Sequence, residues 1–379
     1  MLSERRRRRL PDPTGELLRL QTLYGYNAHS LVSIAPGALL WSTPEIDGAI
    51  IYSEFGRVWL AAGEPLARAE DKPALARQFA EDARRYNRVV AFVPATAAFA
   101  QAIASRDFSA VKVGAAPYFD LKTWQPRGDS AKKMRAEVNQ ARRAGVIVEP
   151  LTHITSDIKQ EAADLCLRWI GNRRAATSFG WLIALEPFRN ADHKKYFVAR
   201  ADGKLVGFLG ASPIPARKGW YLEDVLRAPD APPGTATLLV FEAMQALKAE
   251  GAELATLGTA PLAEDGSNEI FTEHPVVTRA LQIAAKRFSG LYNFEGLRRF
   301  KNKFVPSWWE SEYVIAQRGV AIPPRVANAI IHALVPRGLP ELLTRQAVRL
   351  IRRKHESISR GASGKKILPT VPRRAPSRL

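Results

Sequence analysis

The chain has 379 residues, of which 46% are hydrophobic and 25% are charged, and its formal net charge at pH 7 is +19. This composition excludes a wholly disordered chain and provides enough apolar residues for two or three domains. The positive charge predicts an anionic partner. Nucleic acid phosphates and anionic lipid headgroups fit equally well, and a basic tail that only aids solubility is the alternative.

The first part of the chain is predicted to alternate helices and strands. Residues 1–13 are predicted to be a disordered basic N-terminus, since Pro11 and Pro13 interrupt the apolar run that a secretory signal requires. The elements that follow are the helix TGELLRLQTLYG, the strand GALLWS, the two strands of AIIYSEFGRVWLAAG, the helix DKPALARQFAEDARRYN, the strand RVVAFVP, the helix TAAFAQAIASR and the strand AVKVGAAPYFDL. Residues 14–128 are therefore predicted to form one α/β domain.

A second domain, residues 129–320, is predicted after the break KTWQPRGDS. Its elements are the helix SAKKMRAEVNQARRAG, the strand VIVEP, the helix SDIKQEAADLCLRWIGNR, the strands KYFVARA, KLVGFLGASPI and GWYLEDVLR, the helix TATLLVFEAMQALKAEG and the strand ELATLG. A hairpin, a third strand, a loop with glycine, a helix and another strand resemble the core of the GNAT acyltransferase fold. Both halves follow one order of elements, so duplication of one fold is a hypothesis, and the predicted fold class is α/β (α+β) with mixed sheets flanked by helices. That the two copies are tandem GNAT-like acyltransferase domains is implied by the family resemblance of the stretches quoted below.

The end of the chain changes in composition. Residues 321–356 are predicted to form an amphipathic helical segment, with Leu339 and Leu350 on an apolar face beside arginines, and residues 357–379 a basic disordered tail. Packing on the domain and contact with a membrane both fit this helix. No stretch has the roughly 18 uninterrupted apolar residues of a spanning helix, so the chain is predicted to be soluble or peripheral to a membrane.

The strand GWYLEDVLR and the loop after it hold the candidate catalytic residues. The next helix starts near Gly234 and Thr235, where free N–H groups and a positive dipole end suit a phosphate-bearing substrate. Asp224, at the strand end, is the candidate to accept the proton of an attacking hydroxyl, whereas Glu223 alternates to the other face. Arg227 is the candidate to hold a phosphate, and a salt bridge between Asp224 and Arg227 is the structural alternative. The loop RAPDAPPGTA, with one glycine and two adjacent prolines, argues against coenzyme A as the donor.

Further stretches carry a more specific pattern. They are YLEDVLRAPDAPPGTATLLVFEAM, LATLGTAPLA, LYNFEGLRRFKNKFVPSWWESEYVI and KKMRAEVNQARRAGV, with GYNAHSLV and FGRVWLAAGEPLA as looser matches. Together they resemble the cytosolic C-terminal domain of the bacterial phosphatidylglycerol lysyltransferases, also called aminoacyl-phosphatidylglycerol synthases or multiple peptide resistance factors. The resemblance covers most of residues 22–320, and the run YNFEGLRRFKNKF is its most specific part.

The resemblance implies an aminoacyltransferase that esterifies a glycerol hydroxyl of phosphatidylglycerol with an amino acid taken from aminoacyl-tRNA. It implies no nucleotide cofactor and no metal, because the ester to tRNA is already activated. The implied partners are aminoacyl-tRNA and an anionic phospholipid membrane surface, and the implied location is cytoplasmic, peripheral on the inner face of the cytoplasmic membrane. Such lipids change membrane charge and resistance to antimicrobial peptides. Members often carry a multispanning flippase domain before this region, and the expectation here is a chain without it.

Two groups of candidate binding residues follow from this resemblance and from local spacing. Residues expected to bind substrate, besides the helix start, are Gly258, Thr259, Pro261, Tyr292, Asn293, Arg298, Lys301 and Lys303. Cations of the helix KKMRAEVNQARRAG that are expected to bind tRNA are Lys132, Lys133, Arg135, Arg142 and Arg143. An ordinary strand-exit turn at 258–261, an aromatic core stripe at 292–304 and a solvated helix face at 132–143 are the alternatives.

Other functions remain open at this level. A GNAT-fold transferase with another lipid or a peptide as acceptor, or with an acyl-CoA donor, fits the same element order. A non-catalytic basic protein that binds RNA or a membrane fits the charge. The single cysteine, Cys166, excludes a disulfide framework and a cysteine-ligated metal site, and the six histidines show no metal-ligand spacing.

Overall fold

The computed structural model describes residues 8–9, 15–35, 38–103, 107–172, 185–261, 263, 294–317 and 322–334. Met1–Pro336 forms one unit and Arg337–Leu379 another, and the predicted segment around Leu339–Leu350 and the basic tail lie outside the described residues. No helix of the described residues is long and apolar enough to cross a membrane.

Helices and strands alternate along the described residues. The strands are β1 (Arg8–Arg9), β2 (Leu39–Thr43), β3 (Ile46–Phe55), β4 (Val58–Ala62), β5 (Val89–Thr96), β6 (Phe108–Asp120), β7 (Ile147–Pro150), β8 (Lys195–Ala201), β9 (Lys204–Ile214), β10 (Gly219–Arg227), β11 (Leu254–Thr256), β12 (Ala260–Pro261) and β13 (Trp308–Gln317). The helices are α1 (Gly15–Tyr24), α2 (Lys72–Arg85), α3 (Ala97–Ile103), α4 (Lys132–Arg143), α5 (Ser156–Asn172), α6 (Thr235–Ala249), α7 (Phe294–Asn302) and α8 (Ile322–Leu334).

The described strands form one mixed sheet. Its order is β1-β2-β3-β4-β5-β13-β6-β11-β10-β9-β8-β7, and β12 pairs with β6 outside this path. The predicted fold class, a mixed α/β sheet flanked by helices, is confirmed. Strands from both halves of the chain lie in this one continuous sheet.

The two halves of the sheet repeat one arrangement. In the first, β2, β3 and β4 are antiparallel neighbours, and α2 leads across to β5, which is parallel to β4. In the second, β8, β9 and β10 are antiparallel neighbours, and α6 leads across to β11, which is parallel to β10. A helix is the usual connection between parallel strands, so each half is built around one crossover of this kind. This repetition is the tandem arrangement that the sequence predicts.

Apolar side chains cover both faces of the sheet. In the first half Trp41, Trp59 and Phe79 lie at the centre of a cluster between the strands and α2. In the second half α4 and α6 pack on one face, and α5 packs on the other with Phe208 and Leu226 in its cluster. β10 is covered on both faces. Its regular alternation of side chains is interrupted by a register shift near its end, and such irregularities redirect side chains.

Candidate functional site

A β-bulge near the end of β10 determines where its acidic residues lie. Glu223 pairs with Gly210 of β9 and Leu226 pairs with Phe208, so the register shifts between them. Asp224 takes a left-handed backbone conformation with φ +48°. This conformation is uncommon for a residue other than glycine, although aspartate adopts it more readily than most, and bulges of this kind redirect side chains.

Glu223 is buried in a polar pocket on the α5 side of β10. Ser212 Oγ donates a hydrogen bond of 2.7 Å to Glu223 Oε1, and Lys194 Nζ lies 2.5 Å from the same oxygen. Both side chains of this ion pair are nearly inaccessible, at 4% for Lys194 and 6% for Glu223. Tyr196 lies beside the pair, and burial followed by the charges of Glu223 and Asp224 raises its pKa.

Asp224 shares these surroundings. Loss of hydration raises the pKa of its carboxyl group from 3.8 to about 7, and the neighbouring charge of Glu223 adds to the shift. The charges of Lys194 and Arg189 act in the opposite direction without cancelling it. Strict strand alternation predicts that Glu223 and Asp224 point to opposite faces, but the bulge brings both carboxylates beside Lys194. Sequence reasoning set Glu223 aside for that reason, and it had no signal for the bulge.

A second polar group surrounds Lys301, at the end of α7. Its ammonium donates hydrogen bonds to the carbonyl oxygens of Gly258, at 2.7 Å, and Thr259, at 2.6 Å. Burial lowers the pKa of Lys301 to about 7. Burial also raises the pKa of Glu312 to about 7, against hydrogen bonding by Thr259 and the charge of Lys301. His29, whose pKa is lowered to about 4 by burial and then by the charge of Lys301, completes the group.

Tyr221 connects the two groups. Its ring lies 5.4 Å from the ring of His29, and a Cβ atom on Gly258 would approach Tyr221 Cε2 to 2.5 Å. Tyr221 and Glu223 are two residues apart on β10, so their side chains leave the same face of the sheet about 7 Å apart. We call the combined set the β10 cluster; it consists of His29, Lys194, Ser212, Tyr221, Glu223, Asp224, Gly258, Thr259, Lys301 and Glu312. Three carboxylates, a lysine with a lowered pKa and a histidine give this cluster the groups that acid–base chemistry needs.

The start of α6 is closed by neighbouring residues. A Cβ atom on Gly234 would lie 2.1 Å from the carbonyl oxygen of Glu137 in α4, so this glycine allows two helices to approach. Thr235 is fully buried, and its hydroxyl donates to the carbonyl oxygen of Pro232 at 2.7 Å. Glu137 Oε2 accepts hydrogen bonds of 2.5 Å from Thr237 Oγ1 and 2.5 Å from Lys303 Nζ. The backbone N–H groups of Thr235 and Thr237 bond to the carbonyl oxygens of Pro232 and Gly234, and the Glu137 carboxylate lies against the Thr237 side chain.

The remaining predicted residues lie in different places. Arg227 is exposed, with a hydrogen bond of 3.5 Å from Nη1 to the carbonyl oxygen of Ala228, and no ion pair among the described residues joins it to Asp224. Pro261 pairs with Gly114 of β6. Arg298 is exposed on α7, while Tyr292 and Asn293 lie outside the described residues.

The α4 cations are arranged as the sequence predicts for a helix with one outward face. Lys132, Lys133, Arg142 and Arg143 are exposed, and Arg135 is half-buried with a hydrogen bond to the carbonyl oxygen of Pro126 at 3.1 Å. The predicted substrate-binding residues that the fold brings into direct contact are Gly258, Thr259 and Lys301. Lys194, His29 and Glu312 were not predicted, because lone residues far apart in sequence give no local pattern.

No group of three His, Cys, Asp or Glu side chains in the described part of the chain is placed to hold a metal ion. The β10 cluster is thus built from hydrogen-bonding and titratable groups contributed by a bulged strand, a strand-exit turn and α7. Two α/β halves with such a cluster have the architecture of a tandem GNAT-like protein.

Comparison with known proteins identifies the family. The chain belongs to the family described as phosphatidylglycerol lysyltransferase, C-terminal, whose model matches residues 24–316. The phosphatidylglycerol lysyltransferase of Bacillus subtilis is 23% identical over 289 residues, which are 75% of this chain and 33% of that protein. The lysylphosphatidylglycerol biosynthesis bifunctional protein of Nocardia farcinica is 25% identical over 301 residues, 78% of this chain and 26% of that protein. The chain thus spans about a third or less of these relatives.

Solved structures show the same fold. The C-terminal domain of a lysylphosphatidylglycerol synthetase from Agrobacterium fabrum, described as putative in its name, superposes with a TM-score of 0.70 at 25% identity, covering 84% of this chain and 96% of that one. The L-PGS structure from Bacillus licheniformis also gives 0.70, at 21% identity, with 85% and 96% covered.

Proposed function

We propose that this protein is an aminoacyltransferase that moves an amino acid from aminoacyl-tRNA to a hydroxyl group of phosphatidylglycerol. Its relatives named phosphatidylglycerol lysyltransferase support the lipid acceptor, and a lysyl group is the first amino acid to test. The observation that carries the proposal is the bulge of β10, which leaves Asp224 poorly hydrated and near the charges of Glu223 and Lys194.

Asp224 is the proposed base of the reaction. With a pKa of about 7 it is deprotonated in a large fraction of molecules at neutral pH, yet basic enough to accept a proton from a hydroxyl group in the transition state. The lipid hydroxyl oxygen attacks the ester carbonyl carbon, a new C–O bond forms and the bond to the tRNA ribose breaks. Asp224 then returns the proton to the departing ribose oxygen, and the carboxylate is regenerated.

The surrounding residues position and hold the substrates. Glu223, paired with Lys194 and hydrogen-bonded by Ser212, provides a fixed polar group beside Asp224. Arg227 is exposed at the C-terminal end of β10 and is proposed to contact a phosphate of lipid or RNA. Because the transferred group arrives as an ester, positioning accounts for much of the catalysis and no cofactor takes part.

The basic surface is proposed to meet both anionic partners. The exposed cations of α4 face solvent and are proposed to contact tRNA phosphates. Contact with the inner face of the cytoplasmic membrane follows from the acceptor, and the net charge of +19 favours it. The lipid product would reduce the negative charge of the membrane, and with it the binding of cationic antimicrobial peptides.

The test is product formation. Lipids extracted from cells with and without the protein are compared by mass spectrometry, and the purified chain is supplied with labelled aminoacyl-tRNA and phosphatidylglycerol vesicles. An aminoacylated phosphatidylglycerol should appear only with the protein. Arg227→Ala should lower the yield with little effect on unfolding, and the exposed Arg77→Ala on α2 is the matched control. No labelled lipid from any supplied aminoacyl-tRNA would refute the proposal.

A further inference from the structure

A groove lies on the outer surface of the second half, between α4, α6 and residues 124–127. Its volume is about 410 Å³. The apolar floor is formed by Trp124, Met134, Val138 and Phe241, and of these Phe241 remains half-accessible. Volumes in this range are typical of sites that hold a small molecule or one unit of a polymer.

The rim of the groove is cationic. Arg127, Arg135, Arg142 and Lys248 line it, and no acidic residue is among the described residues of its lining. The only acidic residue of α4, Glu137, turns away to Thr237 and Lys303 and leaves the outward face of that helix positive.

Two of these cations, Lys248 and Arg142, are held in place beside the groove by contacts with neighbouring groups. Lys248 Nζ lies 3.3 Å from the carbonyl oxygen of Trp124, and Arg142 pairs with Glu242 at 2.6 Å just outside the lining. The Arg142 guanidinium also lies 5.6 Å from the Phe241 ring. A flat aromatic ring next to a guanidinium is the surface on which nucleobases stack.

We propose that this groove binds a nucleotide of single-stranded RNA, with its base against Phe241 and its phosphates at Arg135 and Lys248. The amides of Asn139 and Gln245 on the rim supply donors and acceptors for a base edge, and an acyl chain would leave them unpaired. A groove of this size cannot accommodate a base-paired duplex. That the RNA is the aminoacyl donor rests on the proposed function; the binding site itself does not.

The test measures the binding of a fluorescently labelled single-stranded RNA of about four nucleotides by anisotropy. The double variant Arg142→Ala/Lys248→Ala should bind at least about tenfold more weakly, and it should lower the slope of log K against log salt by about 0.7 because Lys248 is the one phosphate contact that it removes. The control double variant Arg77→Ala/Lys159→Ala removes the same charge from exposed positions on α2 and α5 and should bind like the wild type.

A second variant separates stacking from charge. Phe241→Leu should weaken RNA binding at least about fivefold and leave the salt slope unchanged. Gln245→Ala, at an exposed position, gives a further groove variant if the others unfold at a lower temperature. A hairpin RNA of equal length, AMP, and vesicles containing phosphatidylglycerol are the comparison ligands.

Several outcomes would overturn the assignment. Equal losses in both double variants would show general charge attraction. Unchanged binding by Phe241→Leu would remove the stacking site, and AMP binding as tight as the RNA would make the groove a free-nucleotide site. Loss of vesicle binding alone would make it a lipid site. If the groove double variant bound no RNA but still formed the full amount of aminoacyl lipid, the groove would bind RNA without serving the aminoacyl donor, and only that link would be refuted. RNA binding without any aminoacyl lipid would refute the proposed function alone.

Discussion

Glu137 of α4 and Lys303, just after α7, form an ion pair of 2.5 Å across the start of α6, and Thr237 Oγ1 hydrogen-bonds with both side chains. Three segments far apart in sequence therefore meet at one helix terminus. The negative carboxylate lies near the positive end of the helix dipole, which is a stabilising arrangement. The binding role expected for Gly234 and Thr235 at this helix start stays a prediction.

We expect Glu137→Gln to lower the free energy of unfolding by about 1–2 kcal/mol, because it removes a charge-assisted hydrogen bond in a mostly buried position. Denaturant unfolding would measure the change. Glu242→Gln, which breaks the more exposed pair with Arg142 between the same two helices, should cost less than about 1 kcal/mol. Equal effects of the two changes would contradict the special role of the α6 start.

The Glu137 effect should depend on pH. Desolvation raises the pKa of Glu137, but hydrogen bonds from Lys303 and Thr237 outweigh it, and the net pKa lies below its ordinary value of 4.5. Stability from such a group is present above pH 4.5 and lost as the pH falls through the lowered value. The difference between wild type and Glu137→Gln should therefore be constant near neutrality and disappear in acid.

Gly234→Ala should destabilise the fold strongly. The residue has φ +88°, and its new Cβ atom would lie 2.1 Å from the carbonyl oxygen of Glu137, so α4 and α6 would have to separate. Gly251, at the other end of α6, has φ +89° and no atom within 4 Å of a built Cβ. Gly251→Ala should cost about 1–2 kcal/mol from backbone strain alone, and Gly234→Ala about 2 kcal/mol more. Similar melting temperatures for the two variants would refute the close contact.

The rate of transfer should rise with pH and level off above about pH 7, since Asp224 must lose its proton to act as a base. Asp224→Asn should lower the rate constant by about 10²–10⁴ and remove this pH dependence. Asp230→Asn, in the exposed loop after β10, is the matched control. A pH profile of Asp224→Asn that still rises through pH 7 would assign the ionisation to another group.

Asp224 should also reduce stability at high pH. Its pKa is raised on folding, so the folded chain holds a proton that the unfolded chain has released, and stability falls as the pH rises from 3.8 towards about 7. The asparagine side chain of Asp224→Asn does not titrate, so this variant lacks that pH dependence. Its unfolding midpoint relative to wild type should increase between pH 5 and pH 8, and an unchanged difference would contradict the desolvation of the carboxyl group.

The sequence predicts much of this fold because its elements are marked locally. The turn at Gly56, the turn at Asp202–Gly203 and the glycine after α4 each punctuate strongly periodic segments, and the strands and helices between them are confirmed. The bulge of β10 carries no glycine or proline, so alternation alone could not show that Asp224 departs from the regular strand after Glu223. The partners of Lys301 come from Gly258 and Thr259, about forty positions earlier, and no short window reveals such a contact.

The predicted site was partly assembled by the fold. Lys301 meets Gly258 and Thr259 directly, whereas Asp224 lies near the charges of Glu223 and Lys194 farther along β10. The closed start of α6 could not be anticipated, because it depends on how α4 packs against that helix. The domain boundaries at 128 and 320, and the roles of the site residues, stay predictions.

The position of β13 has a consequence for synthesis of the chain. This strand lies between β5 and β6, pairing with both, although more than 180 residues separate Asp120 from Trp308. The facing edges of β5 and β6, which leave the ribosome first, therefore have no partner strand until all ten residues of β13, up to Gln317, have emerged. Nascent chains halted before that point should expose two unpaired strand edges and depend on chaperones, whereas those halted after it can close the ladder.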